Sequence, residues 1–220
     1  MKNWPNDTSW HALESGQVTV ERMTYDLVVV ACGELVMPSG KLVACDPFVY
    51  LHRTGNAYVI VPPGRHRVLV TVAEGFAEAY ATLLIRSTPE VMRKVLTPTH
   101  AGEAIAEPET GFESGFPVDA GTACFVDAEA AEHGMLPTSD NWDDILFDNG
   151  TPDSWFSRMD DPHHIRAGIA NIPLPLAQNG ENIIIFHSGG GDGVYPIIGG
   201  YDAKGDLVAI HIDFLLFGND

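Results

Sequence analysis

The sequence predicts a mainly β fold (β-rich α+β), an antiparallel sandwich or open barrel with a few short helices. Three observations carry that expectation. Short runs rich in β-branched and aromatic residues recur at about 8–12-residue spacing. Turn-forming clusters separate them, drawn from 22 glycines and 15 prolines. Sustained helical periodicity is nearly absent, which favours sheet packed on sheet over a helix bundle.

The elements follow in order. Residues 1–16 read as an irregular or short helical lead-in. Gln17 to Met23 alternates in part through Val18 and Val20, and Leu27 to Val36 is strand-like. Pro38-Ser39-Gly40-Lys41 is a turn, because proline presets φ and glycine tolerates positive φ. Leu42 to Cys45 returns and stops at Asp46-Pro47. Tyr58 to Val61 is a short strand, broken by Pro62-Pro63-Gly64. Val68 to Ala73 and Glu78 to Ile85 form a strand pair across Glu74-Gly75. Thr88-Pro89-Glu90 carries helix-start signals, so a helix is expected from there to about Leu96. Val118 to Val126 is a strand, and Asp127 caps a short helix over Ala128 to His133. Trp142 to Leu146 is a helical turn. Ile165 to Ile172 is open between helix and strand. Asn182 to Phe186, Val194 to Gly200 and Leu207 to Phe217 are strands, the last two joined by the loop 202–206.

A chain of 220 residues forms one domain able to bury its own core. The expected arrangement is a single domain over 1–220 with an acidic, loop-rich insertion at about 99–181. Hydrophobic content of 45% argues against disorder. No apolar run reaches the roughly 18 residues of a membrane helix, and the N-terminus lacks a signal-peptide core. Cys32, Cys45 and Cys124 are odd in number and widely spaced, which is neither a disulfide framework nor a zinc pattern. They suit a reducing, cytoplasmic compartment.

Charge is the strongest compositional signal. The net charge is -18. Between Glu103 and Asp161 stand fifteen acidic side chains and one basic one, Arg158, so that this segment carries -14. Phosphate backbones and anionic membranes are repelled, so neither is an expected partner. A basic protein or a hard cation is attracted.

Three segments have the residue types for chemistry. His187-Ser188-Gly189-Gly190-Gly191-Asp192-Gly193 is a glycine-rich hairpin after an apolar strand. It is not a phosphate loop, since no Gly-Lys-Ser/Thr follows, and not a nucleophile elbow. It reads either as a structural turn or as a backbone cradle beside His187, Ser188 and Asp192. Asp46, at a strand end before proline, reads as a turn cap or as an acid in a site. Asp119 and Asp127 flank the third segment. Convergence of Asp46, Asp119, Asp127 and Asp192 would make an oxygen-rich cation site, with Asp46 and Asp192 the leading metal candidates. Otherwise no cofactor is expected. The nine histidines form no zinc-ligand pair.

Several blocks share a family pattern. Leu35-Val36-Met37-Pro38-Ser39-Gly40-Lys41-Leu42-Val43-Ala44-Cys45-Asp46-Pro47 is the first, and Pro62-Pro63-Gly64-Arg65-His66-Arg67-Val68 the second. Ser188-Gly189-Gly190-Gly191-Asp192-Gly193-Val194-Tyr195-Pro196 is the third, followed by Gly200-Tyr201-Asp202-Ala203-Lys204-Gly205 and Asp213-Phe214. In this order they resemble the bacterial "domain of unknown function 4241" family, over about residues 27–217. The resemblance implies a single-domain, cytosolic bacterial protein and carries no activity with it. Small acidic families of this type are often immunity or interaction proteins.

Two specific functions are therefore expected, beside the blander reading of a scaffold or regulatory domain with no small ligand. The first is an acidic intracellular binding protein, of immunity type, that neutralises a cationic partner protein. Its partner-binding residues would be Trp142, Asp143, Asp144, Asp148 and Trp155, with Phe147 and Phe156 interleaved. The alternative is a hydrolase, with or without a divalent cation, using His187, Ser188 and Asp192.

Overall fold

A computed structural model describes residues 10–51, 55–100, 115–137 and 141–218. Most of the lead-in expected over 1–16 and part of the insertion expected over 99–181, including the acidic residues Glu103, Glu107, Glu109, Glu113 and Asp140, lie outside them.

The strand expectations lead to two antiparallel sheets. The first has seven strands: β1 (Gly16–Val20), β2 (Met23–Met37), β5 (Gly64–Ala73), β6 (Ala77–Leu84), β14 (Leu207–Asp213), β13 (Ile197–Tyr201) and β7 (Met92–Leu96), in that spatial order. The second has five: β10 (Ile169–Pro173), β11 (Asn182–His187), β9 (Thr122–Asp127), β3 (Lys41–Cys45) and β4 (Val59–Ile60). A two-stranded ribbon pairs β12 (Gly193–Tyr195) with β8 (Phe116–Val118). The seven-stranded sheet is curled, so the protein is a β-rich sandwich leaning toward a half-barrel.

Alternation of side chains along each strand builds three apolar layers. Between the sheets, Leu35, Val70 and Ile210 meet Phe125, Ile184 and Phe186. On the far side of the five-stranded sheet, Val43, Cys124 and Ile183 meet three short helical pieces. These are α2 (Ala128–Gly134), a π-helical turn at Asp143–Phe147 and α3 (Trp155–Asp160). A fourth piece, α1 (Pro47–Tyr50), follows β3. On the outer face of the larger sheet, Tyr25, Leu27, Tyr80 and Phe217 form a smaller cluster with Trp10. Two amides tie the sheets together: Asn171 donates to the Cys32 carbonyl and Asn182 to the Glu34 carbonyl, each at 2.9 Å.

Two expectations change. Thr88 to Leu96 is not a helix. Met92–Leu96 is a strand paired with β13, with Val95 opposite Ile198. Local start signals lose here to non-local pairing that closes the sheet edge. Glu90, read as favouring a helix dipole, instead accepts hydrogen bonds from Arg93 and His211. The segment 99–181 is not a loop-rich insertion across its described residues. It supplies β9, the central strand of the five-stranded sheet, whose six residues are all buried. It also supplies β10 and the helices that cover that sheet. Most of its described acidic residues are exposed, which hides the apolar ones from a reading of composition.

Candidate functional site

The glycine-rich hairpin connects β11 to β12, and its own atoms use most of its polar groups. Ser188 is fully buried, and its hydroxyl donates to the Gly191 carbonyl at 2.7 Å. The Tyr195 hydroxyl donates to the same carbonyl at 2.8 Å. Asp192 accepts from the Gly121 amide at 3.2 Å, and the Ser188 amide donates to the Gly121 carbonyl at 3.1 Å. Gly189 has φ +64, and a Cβ there would stand 2.7 Å from Phe214 Cβ and 2.9 Å from the Glu78 carbonyl. Of the three candidate residues, only His187 is exposed with a side chain uncommitted to the turn.

Asp46 is fully buried and surrounded by donors. Its carboxylate accepts from the Asp119 amide (3.0 Å), the Ala120 amide (2.6 Å), the Thr122 hydroxyl (2.8 Å) and the Phe48 amide (3.2 Å). It thus caps α1 and holds the 119–122 turn against β3. Asp119 accepts a hydrogen bond from the Tyr50 hydroxyl. Asp127 caps α2 as expected, through the Glu129 and Ala130 amides, and also binds the turn at Ser39 and Gly40. Asp46, Asp119 and Asp192 therefore meet around one turn, while Asp127 lies at the other end of β9. Among the described residues, no group of three or more histidine, cysteine or acidic side chains is placed to hold a metal ion.

A residue not singled out in the sequence stands beside His187. Glu78 lies at an irregularity between β5 and β6: Thr71 pairs with Tyr80 and Val72 with Glu78, so Ala79 has no partner on β5. Such bulges re-aim side chains. Glu78 is 7% exposed. Burial pushes its carboxyl above the ordinary carboxylate range, an effect partly offset by its own amide and by nearby His187 and Arg166. Arg166 is itself held by both oxygens of Glu74, at 2.8 and 2.9 Å. Gly168 completes the notch. At φ +90, a Cβ on it would stand 2.6 Å from His187 Nδ1 and 3.1 Å from Glu78 Oε1.

The third region is the helical face. Asp143, Asp144, Asp148, Asp153, Asp160 and Asp161 are all exposed. The one base among them, Arg158, pairs with Asp153 at 2.7 Å. Trp142 and Trp155 are not surface anchors: they are 6% and 3% exposed and pack on the five-stranded sheet. Phe147 is buried with them. The exposed apolar side chains of this face are Ile145 and Phe156, and the Phe156 ring stacks 4.4 Å from Phe48. A shallow groove of about 340 Å³ runs beside α3, lined by Leu146, Trp155, Ile172 and Leu174 with Asp153 and Arg158.

A second buried polar chain sits on the outer face of the larger sheet. The Thr82 hydroxyl lies 2.9 Å from His211 Nδ1, and His211 Nε2 lies 2.8 Å from Glu90. Burial alone would raise the Glu90 carboxyl, but the His211 and Arg93 contacts outweigh it and hold it below the ordinary range. Trp10 covers the chain, with Arg93 4.4 Å from its ring centre.

The fold and these sites together define an acidic β-sandwich with one helix-covered face. The chain belongs to the family described as protein of unknown function DUF4241, whose model matches residues 35–212. No curated protein and no solved structure matches the chain. Among the described residues, no helix is long and apolar enough to cross a membrane.

Glu78, Glu74 and Arg166 are the site residues that sequence reasoning missed. The one signal available was a glutamate inside the otherwise apolar run Ala77-Glu78-Ala79-Tyr80-Ala81.

Proposed function

We propose that the protein is an acidic cytoplasmic binding protein of immunity type, whose helical face takes up a basic partner protein. One observation carries the reading: six exposed aspartates on Asp143 to Asp161, with their only base already paired. Like charges held this close repel one another, and a basic surface relieves that repulsion. The buried tryptophans fix the helical pieces rigidly. Ile145 and Phe156 offer apolar contact within the charged rim. Three free, buried cysteines suit a reducing compartment.

The hydrolase alternative has less support. Its serine hydroxyl and its aspartate are engaged within the hairpin and its neighbouring turn, which leaves His187 without the nucleophile first assigned to it.

The test is capture on the immobilised full chain at low salt, followed by titration of the captured basic protein. Joint reversal of Asp143, Asp144 and Asp148 to lysine is expected to cost about 2 kcal/mol, roughly thirtyfold in Kd. Binding that ignores both salt and this triple reversal would remove the acidic face from the account.

A further inference from the structure

Several other carboxylates, buried or half-buried, are surrounded by donors. Asp46 has four, Asp127 binds Ser39, Gly40, Glu129 and Ala130, and Glu90 takes His211 and Arg93. Asp202 accepts the Lys204 and Asp206 amides. Glu78 is the exception. It is as buried as Asp202, yet among the described residues its carboxyl forms no ion pair and no hydrogen bond to another residue. The nearest guanidinium, Arg166, is committed to Glu74. A carboxyl this far withdrawn from water, with only its own amide beside it, is costly to ionise, and natural structures keep such groups mainly where something else completes them.

We propose that Glu78 and His187 form a socket for a lysine or arginine side chain of the basic partner, at the border of the acidic face. The proposal rests on the binding reading above. Three features point to a cationic side chain. The socket adjoins the acidic helices: the Gly168 amide donates to the Met159 carbonyl of α3 at 2.7 Å, one residue before Asp160. Gly168 carries no side chain where the imidazole and the carboxyl converge, and a Cβ there would strike both. A chain of net charge -18 attracts a cation and repels an anion, and among the described residues no third acidic, histidine or cysteine ligand makes the notch a metal site.

The socket has a proton signature. Burial keeps Glu78 protonated to higher pH than an ordinary carboxyl, with His187 and Arg166 the charged groups that face it. An entering ammonium or guanidinium favours the carboxylate, so the carboxyl O–H bond breaks and its proton passes to buffer as the ion pair forms.

The experiment is calorimetric titration of the full chain with decalysine at low salt over a series of pH values from about 5 to 7, in two buffers of different ionisation heat at each. The wild type is expected to release protons on binding. Glu78→Gln is expected to bind severalfold more weakly and to release fewer protons than the wild type. Asp143→Asn/Asp144→Asn/Asp148→Asn is expected to bind more weakly while keeping the proton release. If the wild type and Glu78→Gln release protons equally, the socket is wrong while the acidic face stands. If the wild type does not bind decalysine at all, the binding reading falls, and the socket with it. Glu78→Gln keeps the shape of the protonated carboxyl and is expected to fold; an unchanged circular dichroism spectrum checks that, and His187→Gln, at an exposed position, gives a second weakened binder.

Discussion

Two carboxylates stand beside the glycine-rich hairpin, and their surroundings are opposite. Asp46 is ringed by four donors from α1 and the 119–122 turn. Glu78 has only its own amide and the through-space company of His187 and Arg166. The first arrangement is what holds a turn in place: donors that would otherwise be orphaned share one acceptor. The second leaves a group waiting for a partner. Residue type alone does not separate an architectural acid from a functional one; the count of donors around it does.

The largest expected effect is on the architectural side. Asp46→Ala strands four donors, each worth about 1–3 kcal/mol before the site relaxes, so a loss of roughly 3–5 kcal/mol is expected in denaturant unfolding. A loss well under about 1 kcal/mol would erase the contrast between the two acids. Next comes the hairpin. Gly189→Ala places a methyl at φ +64 against Phe214 and the Glu78 backbone, and is expected to cost about 1–3 kcal/mol. Gly190→Ala meets nothing within 4 Å and is expected to cost less than about 0.5 kcal/mol. Equal costs would show that the turn does not press on Glu78.

The smallest and sharpest effects are in pH dependence. Glu78 holds its proton more tightly folded than unfolded. Its protonated form contributes stability that is full below the unfolded value and is lost as pH rises through the folded one. Glutamine mimics that protonated form at every pH. Glu78→Gln is therefore expected to melt with the wild type in acid and above it near neutrality. Glu90 behaves in the opposite way. Its folded value lies below the unfolded one, so its stability is present above the unfolded value and is lost as pH falls through the folded one. Glu90→Gln is expected to melt below the wild type near neutrality, with the gap closing in acid. The two melting series should diverge in opposite directions as pH rises.

Much of the sheet was legible from β-branched runs and from turns such as Pro38-Ser39-Gly40, and Asp127 was legible as a helix cap. These are local signals, written within a few residues. The strand at Met92–Leu96 was not legible, because its partner β13 lies about a hundred residues away while the helix-start residues sit next to it. The hairpin drew attention by composition, and its Ser188 and Asp192 prove to be engaged in holding turns. Glu78 stayed hidden for the converse reason. In an alternating strand a glutamate reads as solvent-facing, and only the irregularity at Ala79 and the positive φ at Gly168 and Gly189 reveal where it lies.

The most direct test is the titration of the Glu78 side-chain carboxyl followed by carbon NMR, in the free protein and with decalysine added. The account expects a midpoint above the ordinary glutamate value of 4.5 in the free protein, falling when decalysine binds. A midpoint at or below that value, unmoved by decalysine, would contradict it.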